Sequence, residues 1–139
     1  MTRRTATPES AVLSGCLNLL RACGVLAWRT NNHGTYDLKK QVYHTFHGLK
    51  GVSDILSILH NPLPKNPDRL CAATHHVSYA RFESLSGKLL ACECKSEHGK
   101  LSPDQKWFGA EVERRGGIFV CARRVADLES VLRELGYLR

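Results

Sequence analysis

One octapeptide, KLLACECK at residues 88–95, constrains the fold more than any other stretch of the 139-residue chain. It is short, largely apolar and free of glycine and proline, which predicts a buried β-strand. Side chains alternate across a strand, so Glu93 and Lys95 share one face while Cys92 and Cys94 share the other. The strand therefore needs a core on the cysteine side and, on the other side, a group that compensates a buried charged pair.

A second apolar stretch supplies a partner for this pair. Residues 52–59, VSDILSIL, predict another buried strand, with Asp54 inside it. A divalent cation held by Asp54 and Glu93 would compensate their charge, because Mg²⁺ binds carboxylate oxygens together with water and phosphate. The metal would acidify a bound water, and Lys95 would orient it and offset phosphate charge, as phosphodiester hydrolysis requires. Taken alone, however, such a triplet is more often a set of solvated surface charges.

Helices and short strands are predicted around these two segments. Thr7-Pro8-Glu9-Ser10 begins a helix over about 8–23, and Ser102-Pro103-Asp104-Gln105 begins another that runs to about Arg115. Residues 35–50 give no consistent pattern, and residues 61–87, with three prolines, predict a long loop insertion. The remaining predicted elements are strands at 25–29 and 118–122 and a closing helix at 125–136.

Size and charge narrow the class of protein. A chain of 139 residues with 42% hydrophobic and 24% charged residues predicts one globular domain over residues 1–139. Lys and Arg outnumber Asp and Glu by 20 to 13, a net charge of +7, which favours a polyanionic partner such as nucleic acid.

Nothing in the sequence predicts export or a membrane span. The opening MTRRTATPES has no apolar segment behind its arginines, and no stretch approaches the roughly 18 apolar residues of a spanning helix. We therefore expect reduced thiols in the core rather than disulfides. Six cysteines are concerned, at positions 16, 23, 71, 92, 94 and 121.

Four short motifs together resemble a known nuclease family. They are Gly51-Val52-Ser53-Asp54-Ile55, Ala91-Cys92-Glu93-Cys94-Lys95-Ser96, Gly99-Lys100-Leu101-Ser102-Pro103-Asp104-Gln105 and Gly116-Gly117. Over nearly its whole length the chain is similar to the VRR-NUC family of the PD-(D/E)XK nuclease superfamily, in its compact stand-alone form known mainly from phages and bacteria. The match is strongest over 88–122 and good over 51–56.

The resemblance implies a site and a fold. Asp54, Glu93 and Glu9 would be metal ligands for Mg²⁺ or Mn²⁺, and Lys95 and Gln105 would complete the catalytic set. The fold would be α/β, a central mixed β-sheet flanked by helices in a restriction-endonuclease-like core. Stand-alone members resemble Holliday-junction resolvases and act as homodimers, which implies branched DNA as substrate and a cytoplasmic location in a bacterial or phage-infected cell.

Several of these residues also have a purely structural explanation. Gln105 follows Ser102 by three positions, so a helix capping box accounts for it, and Glu9 lies in a first helical turn, where the helix dipole favours a negative charge. The resemblance favours a site role for both. Two features depart from the family pattern: the 61–87 insertion is long, and Cys94 stands where a bulkier aliphatic residue is usual.

Other polar residues give weaker signals. Phosphate contacts are expected from the polar residues that follow the first strand and from a lysine of the third motif, namely Arg29, Asn31, Asn32 and Lys100. A zinc site is disfavoured, because the spacing of the candidate ligands resembles no common zinc module. Those candidates are His60, Cys71, His75 and His76.

The sequence thus predicts a metal-dependent endodeoxyribonuclease that hydrolyses DNA phosphodiester bonds, selective for branched DNA such as Holliday junctions. The alternative is a basic module that binds nucleic acid and retains the nuclease fold without cleaving. Intact Asp54, Glu93 and Lys95 argue against that alternative, because a pure binder has no reason to hold carboxylates where phosphate must approach.

Overall fold

A computed structural model describes residues 8–31, 35–44, 48–62 and 84–139. These residues form three helices and six strands. In chain order the elements are α1 (Pro8–Ala22), β1 (Leu26–Arg29), β2 (Thr35–Asp37), β3 (Val42–His44), β4 (Ile55–Ile58), β5 (Leu89–Cys94), α2 (Pro103–Arg114), β6 (Ile118–Ala122) and α3 (Val125–Glu134).

Four of the strands form a mixed sheet in the order β1-β4-β5-β6. Strand β4 runs antiparallel to both β1 and β5, whereas β5 and β6 are parallel. Strand β5 is therefore central, and its Cys92 is paired with Ile55 on one side and Val120 on the other. The protein is a mixed α/β structure with a central sheet flanked by helices, as the sequence predicts.

The main core lies on one face of this sheet, beneath α1 and α3. Leu20 of α1 and Leu128 of α3 pack against Leu90, Cys92 and Cys94 of β5. These side chains are fully buried, and the three β5 residues follow the period of two that places alternate side chains on one face. The prediction that Cys92 and Cys94 point together into the core is confirmed.

Helix α2 covers the opposite face of the sheet. Ala91 of β5 packs with Phe108 and Val112 of α2 in a second, smaller cluster. Gly109 lies directly over Phe119 of β6, and a Cβ atom at this position would lie 2.7 Å from the ring. The absence of a side chain at this glycine lets α2 approach the strands that carry the candidate site.

Two predictions about strands need correction. Asp54 does not lie inside a strand, because β4 begins at Ile55, and its backbone forms a bend instead. Residues 35–50, for which the sequence gives no pattern, contain the two-stranded hairpin β2–β3. In its turn Gln41 adopts a φ of 49°, a left-handed conformation that turn residues other than glycine seldom take.

The other predicted elements agree with the structure to within one or two residues at their ends. Of the predicted insertion at 61–87, residues 63–83 lie outside the described residues, as does Cys71. The described cysteines are all free thiols. Within the described part of the chain, no helix has the length and apolar character needed to cross a bilayer.

Candidate active site

Glu93 and Lys95 form an ion pair at the carboxyl end of β5. Lys95 Nζ lies 2.9 Å from Glu93 Oε1, and the side chains are only 15% and 2% exposed. Lys95 follows the last residue of β5, and its backbone N–H donates to Ala122 O of β6 at 2.9 Å. The parallel β5–β6 ladder thus continues to Lys95 and fixes the backbone from which its ammonium group reaches Glu93.

Gln105 reaches the same carboxylate from the first turn of α2. Ser102 caps this helix: its Oγ accepts from Gln105 N at 3.2 Å, and Gln105 Oε1 accepts from Ser102 N at 2.9 Å. The remaining amide group of Gln105, Nε2, donates to Glu93 Oε1 at 2.5 Å. The capping box predicted from the sequence is confirmed, and the same side chain also contacts the candidate site.

Asp54 is held against β5 by its own carboxylate. Its Oδ2 accepts from the backbone N–H of Cys94 at 2.9 Å, just beyond the last β4–β5 pair, Ile55 and Cys92. Its carbonyl oxygen accepts from Thr30 N at 2.8 Å, which ties it to the end of β1. A side chain therefore continues the β4–β5 contact where the strand itself stops.

Gly51 links the segment that leads to Asp54 with the helix that carries Gln105. It has a φ of +79°, and a Cβ atom built on it would lie 2.3 Å from the backbone of Asp104. Both its conformation and its surroundings therefore require glycine. The close approach sets the distance between the Asp54 loop and the first turn of α2.

The electrostatics of Glu93 are those of a buried, incompletely paired carboxyl group. Burial raises its pKa, the hydrogen bond from Lys95 lowers it, and the negative charge of Asp54 raises it again, for a net increase. The Asp54 backbone N–H lies close enough to favour the charged form. Nevertheless Glu93 Oε2 is buried and no donor in the described part of the chain completes a hydrogen bond with it.

Lys95 contacts Glu93 and lies within electrostatic range of the other two predicted carboxylates, Asp54 and Glu9. Burial lowers its pKa, but the hydrogen bond to Glu93 and the charges of Glu93, Glu9 and Asp54 outweigh this, so the net shift is upward. Its ammonium group therefore remains charged at neutral pH. This interaction also brings Glu9, an exposed residue in the first turn of α1, into the electrostatic environment of the site.

The donor set is compatible with a hard divalent cation. Mg²⁺ commonly uses one or two protein carboxylates and completes its octahedron with water and phosphate oxygens. Glu93 Oε2, which lacks a donor, and Asp54 Oδ1, which is not the oxygen bonded to Cys94, are the atoms available for it. The oxygens of Asp54, Glu93 and Glu9 do not all lie within 4.8 Å of one another, so the three predicted metal ligands do not form one compact cluster.

The predicted phosphate contacts lie on the surface. Arg29 is the last residue of β1 and Asn31 lies two residues later; both are exposed, as is Lys100 in the segment before α2. Thr30, between Arg29 and Asn31, is bonded to Asp54, so this end of β1 is adjacent to the candidate site. Asn32 lies outside the described residues.

Of the four disfavoured zinc ligands, His60 alone lies among the described residues. The His60 ring packs edge-on against Tyr137 near the end of the chain, with ring centroids 5.2 Å apart. Its Nδ1 lies 2.8 Å from Asn61 O. The other three candidates, Cys71, His75 and His76, lie outside the described residues.

One cluster was missed by the sequence analysis. Cys16 of α1 meets Cys92 and Cys94 behind Glu93, on the opposite face of β5. The signals were available: Cys16 lies on the apolar stripe of α1, and the two strand cysteines point the same way. What the sequence could not supply is that α1 packs over this part of β5.

Comparisons of the chain with protein family models, with curated proteins and with solved structures gave no match.

Proposed function

We propose that the protein is a Mg²⁺- or Mn²⁺-dependent endonuclease that hydrolyses DNA phosphodiester bonds, and that it is a divergent member of the VRR-NUC family. The observation that carries the proposal is the state of Glu93. This carboxyl group is buried beside Asp54, one of its oxygens is saturated by Lys95 and Gln105, and the other has no hydrogen-bond partner among the described residues.

Such an arrangement destabilises the folded protein unless a bound group compensates the carboxylate. A buried polar atom without a partner costs about 1–3 kcal/mol, and more if it is charged. Lys95 and Gln105 both contact Oε1, so neither compensates Oε2. A cation bound by Glu93 Oε2 and by Asp54 would remove this cost and, when bound, would supply Lewis acidity and an acidified water for attack on phosphorus.

Each side chain has a distinct task in this mechanism. Glu93 and Asp54 would hold the cation, and Gln105 keeps the Glu93 carboxyl group in one orientation by donating to Oε1. Lys95 lies beside Glu93 with its charge retained, where it can orient the attacking water and offset the charge that develops on phosphate. Glu9 contributes negative charge near Lys95 and helps to keep it protonated.

DNA is the proposed substrate because the chain is positively charged and DNA is a polyanion. The chain carries a net charge of +7, and exposed Arg29 and Lys100 lie in the segments that lead to the site. We extend the proposal to branched DNA such as a Holliday junction, which a homodimer would cut. One chain offers one such site, and symmetric cutting of a branched molecule requires two sites related by a twofold axis.

The test is cleavage of a four-way junction and of linear duplex DNA, each in Mg²⁺, Mn²⁺ and EDTA. We expect cleavage only with metal, loss of cleavage in Glu93→Gln, and normal cleavage in the matched control Glu134→Gln at the exposed end of α3. A protein that binds both DNAs but cuts neither with either metal would instead be the non-catalytic binding module. Cleavage that persists in EDTA would refute the metal mechanism.

A further inference from the structure

Three thiols meet on the face of β5 opposite Glu93. The Sγ atoms of Cys16, Cys92 and Cys94 all lie within 4.8 Å of one another, and all three residues are 0% exposed. Among the described residues they are the one group of three potential metal ligands with this proximity. Sulfur atoms bound to the same metal ion at about 2.3 Å each must be closer than this, so modest side-chain rotation would suffice.

The position of the thiols follows from the fold. Cys92 and Cys94 point to the same face because they are two residues apart in a strand, and Cys16 lies in the buried stripe of α1 between Leu13 and Leu20. Both elements are held by the main core, so the three sulfur atoms are positioned by packing rather than by a flexible loop. Such preorganisation lowers the cost of ligand binding.

We infer that the thiol cluster, Cys16, Cys92 and Cys94, is a binding site for a soft, thiophilic cation, Cu(I) in preference to Zn(II). Thiolates select Cu(I), zinc and iron–sulfur clusters over hard cations. Structural zinc almost always takes four ligands, whereas Cu(I) is stable with three sulfur ligands. The cluster offers three sulfurs within the described residues, and all three side chains are 0% exposed, so the cluster has no contact with bulk water that could supply a fourth ligand.

The surroundings of the thiol cluster are apolar, with Leu20, Leu90 and Leu128 in the same core. Within the described residues the cluster offers a metal ion sulfur ligands and no oxygen ligand. Metal binding replaces protons on the ligating thiols, and these protons pass to the solvent.

The inference does not depend on the proposed nuclease activity. The carboxylates of the candidate active site are hard oxygen ligands, and the thiols behind them are soft sulfur ligands, so the two sites select different ions. They share β5, however, and the backbone N–H of Cys94 also bonds Asp54. Occupancy of the thiol cluster would therefore stiffen the strand that carries Glu93.

The test is an anaerobic titration of the fully reduced protein with Cu(I), in competition with the colorimetric chelator bicinchoninate. Because the cluster is buried, Cu(I) is also added during refolding from denaturant as a second route of loading. We expect the wild type to withdraw one equivalent of Cu(I) and Cys16→Ala to withdraw none. Cys23→Ala is the matched control, because Cys23 lies just after α1 and outside the cluster; it should behave as the wild type.

Two further measurements keep the test decisive. X-ray absorption at the copper edge of the loaded wild type should show three sulfur neighbours, and excess Zn(II) should not displace the Cu(I); this arm does not require Cys16→Ala to fold. Failure of the wild type to load by either route, oxygen or nitrogen ligands at copper, or displacement by Zn(II) would overturn the inference.

Discussion

Gln105 Nε2 lies 2.5 Å from Glu93 Oε1, and this contact joins a helix cap to a buried carboxylate. The other atom of the same amide, Oε1, accepts from Ser102 N at 2.9 Å. Because both ends of the amide are engaged, its orientation is fixed: only the NH₂ group can donate to the carboxylate, and only the oxygen can accept from the cap. The start of α2 and the geometry of Glu93 therefore depend on one side chain.

The first prediction separates these two roles of Gln105. Ser102→Ala removes the capping hydroxyl but leaves the Gln105 side chain in place. Gln105→Ala keeps the cap bond, which uses its backbone N–H, and removes the side-chain contacts with Ser102 N and Glu93 Oε1. The first variant should lose about 0.5–2 kcal/mol of unfolding free energy, the usual cost of a lost cap, and the second about 1–3 kcal/mol, because a buried carboxylate loses a donor. Only Gln105→Ala should also weaken Mg²⁺ binding, measured by calorimetry. Equal metal affinity in the two variants would show that the contact with Glu93 is incidental.

A second prediction concerns the bond between Asp54 and Cys94. Asp54→Ala leaves the buried Cys94 N–H without its acceptor and should cost about 1–3 kcal/mol in denaturant unfolding. Asp54→Asn retains an oxygen that can accept this bond, so its stability should be close to that of the wild type. Both variants should fail to cleave DNA, because both lose the carboxylate charge. An alanine variant as stable as the asparagine variant would mean that the bond contributes little.

Glu93 gives a third prediction, on pH. Its pKa in the folded protein is raised above the ordinary 4.5, mainly by burial. A carboxyl group with a raised pKa stabilises the fold when protonated, and this contribution is lost as pH rises above 4.5 through the folded pKa. In EDTA, the wild type should therefore lose stability relative to Glu93→Gln as the pH rises above 4.5. Thermal unfolding of both proteins at several pH values measures the difference, and parallel curves would contradict the expectation.

Lys95 gives the fourth prediction. Lys95→Met keeps most of the apolar stem but removes the charge 2.9 Å from Glu93. Metal binding should persist, while single-turnover cleavage should slow by at least ~10²-fold, the scale of one lost electrostatic contact in a water-poor site. Lys106→Met, on the exposed side of α2, is the control and should cleave at the wild-type rate. An unchanged rate in Lys95→Met would remove the lysine from the proposed mechanism.

Sequence patterns predicted the parts of the structure that depend on local alternation and capping. The faces of β5 follow from the period of a strand, and the start of α2 follows from Ser102 and Gln105. The bend at Asp54 could not be predicted, because an apolar run cannot show that a carboxylate will replace a strand bond to Cys94. The β2–β3 hairpin was not predicted, because its left-handed turn residue is Gln41 and not the glycine or asparagine that marks such turns.

Because side chains alternate along β5, its pairing register decides which residues face the apolar core and which face α2. A slip of one residue against β4 and β6 would turn every side chain to the opposite face. The Glu93 carboxylate would then enter the apolar layer beneath α1 and α3, and the thiols of Cys92 and Cys94 would face α2. Lys95 shares the face of Glu93 and would turn with it, but an ion pair in that apolar layer is still costlier than two neutral thiols, so the misregistered sheet is disfavoured energetically. Glu93, whose burial is unfavourable at the candidate site, thus also disfavours the misfolded sheet in which the two faces of β5 are exchanged.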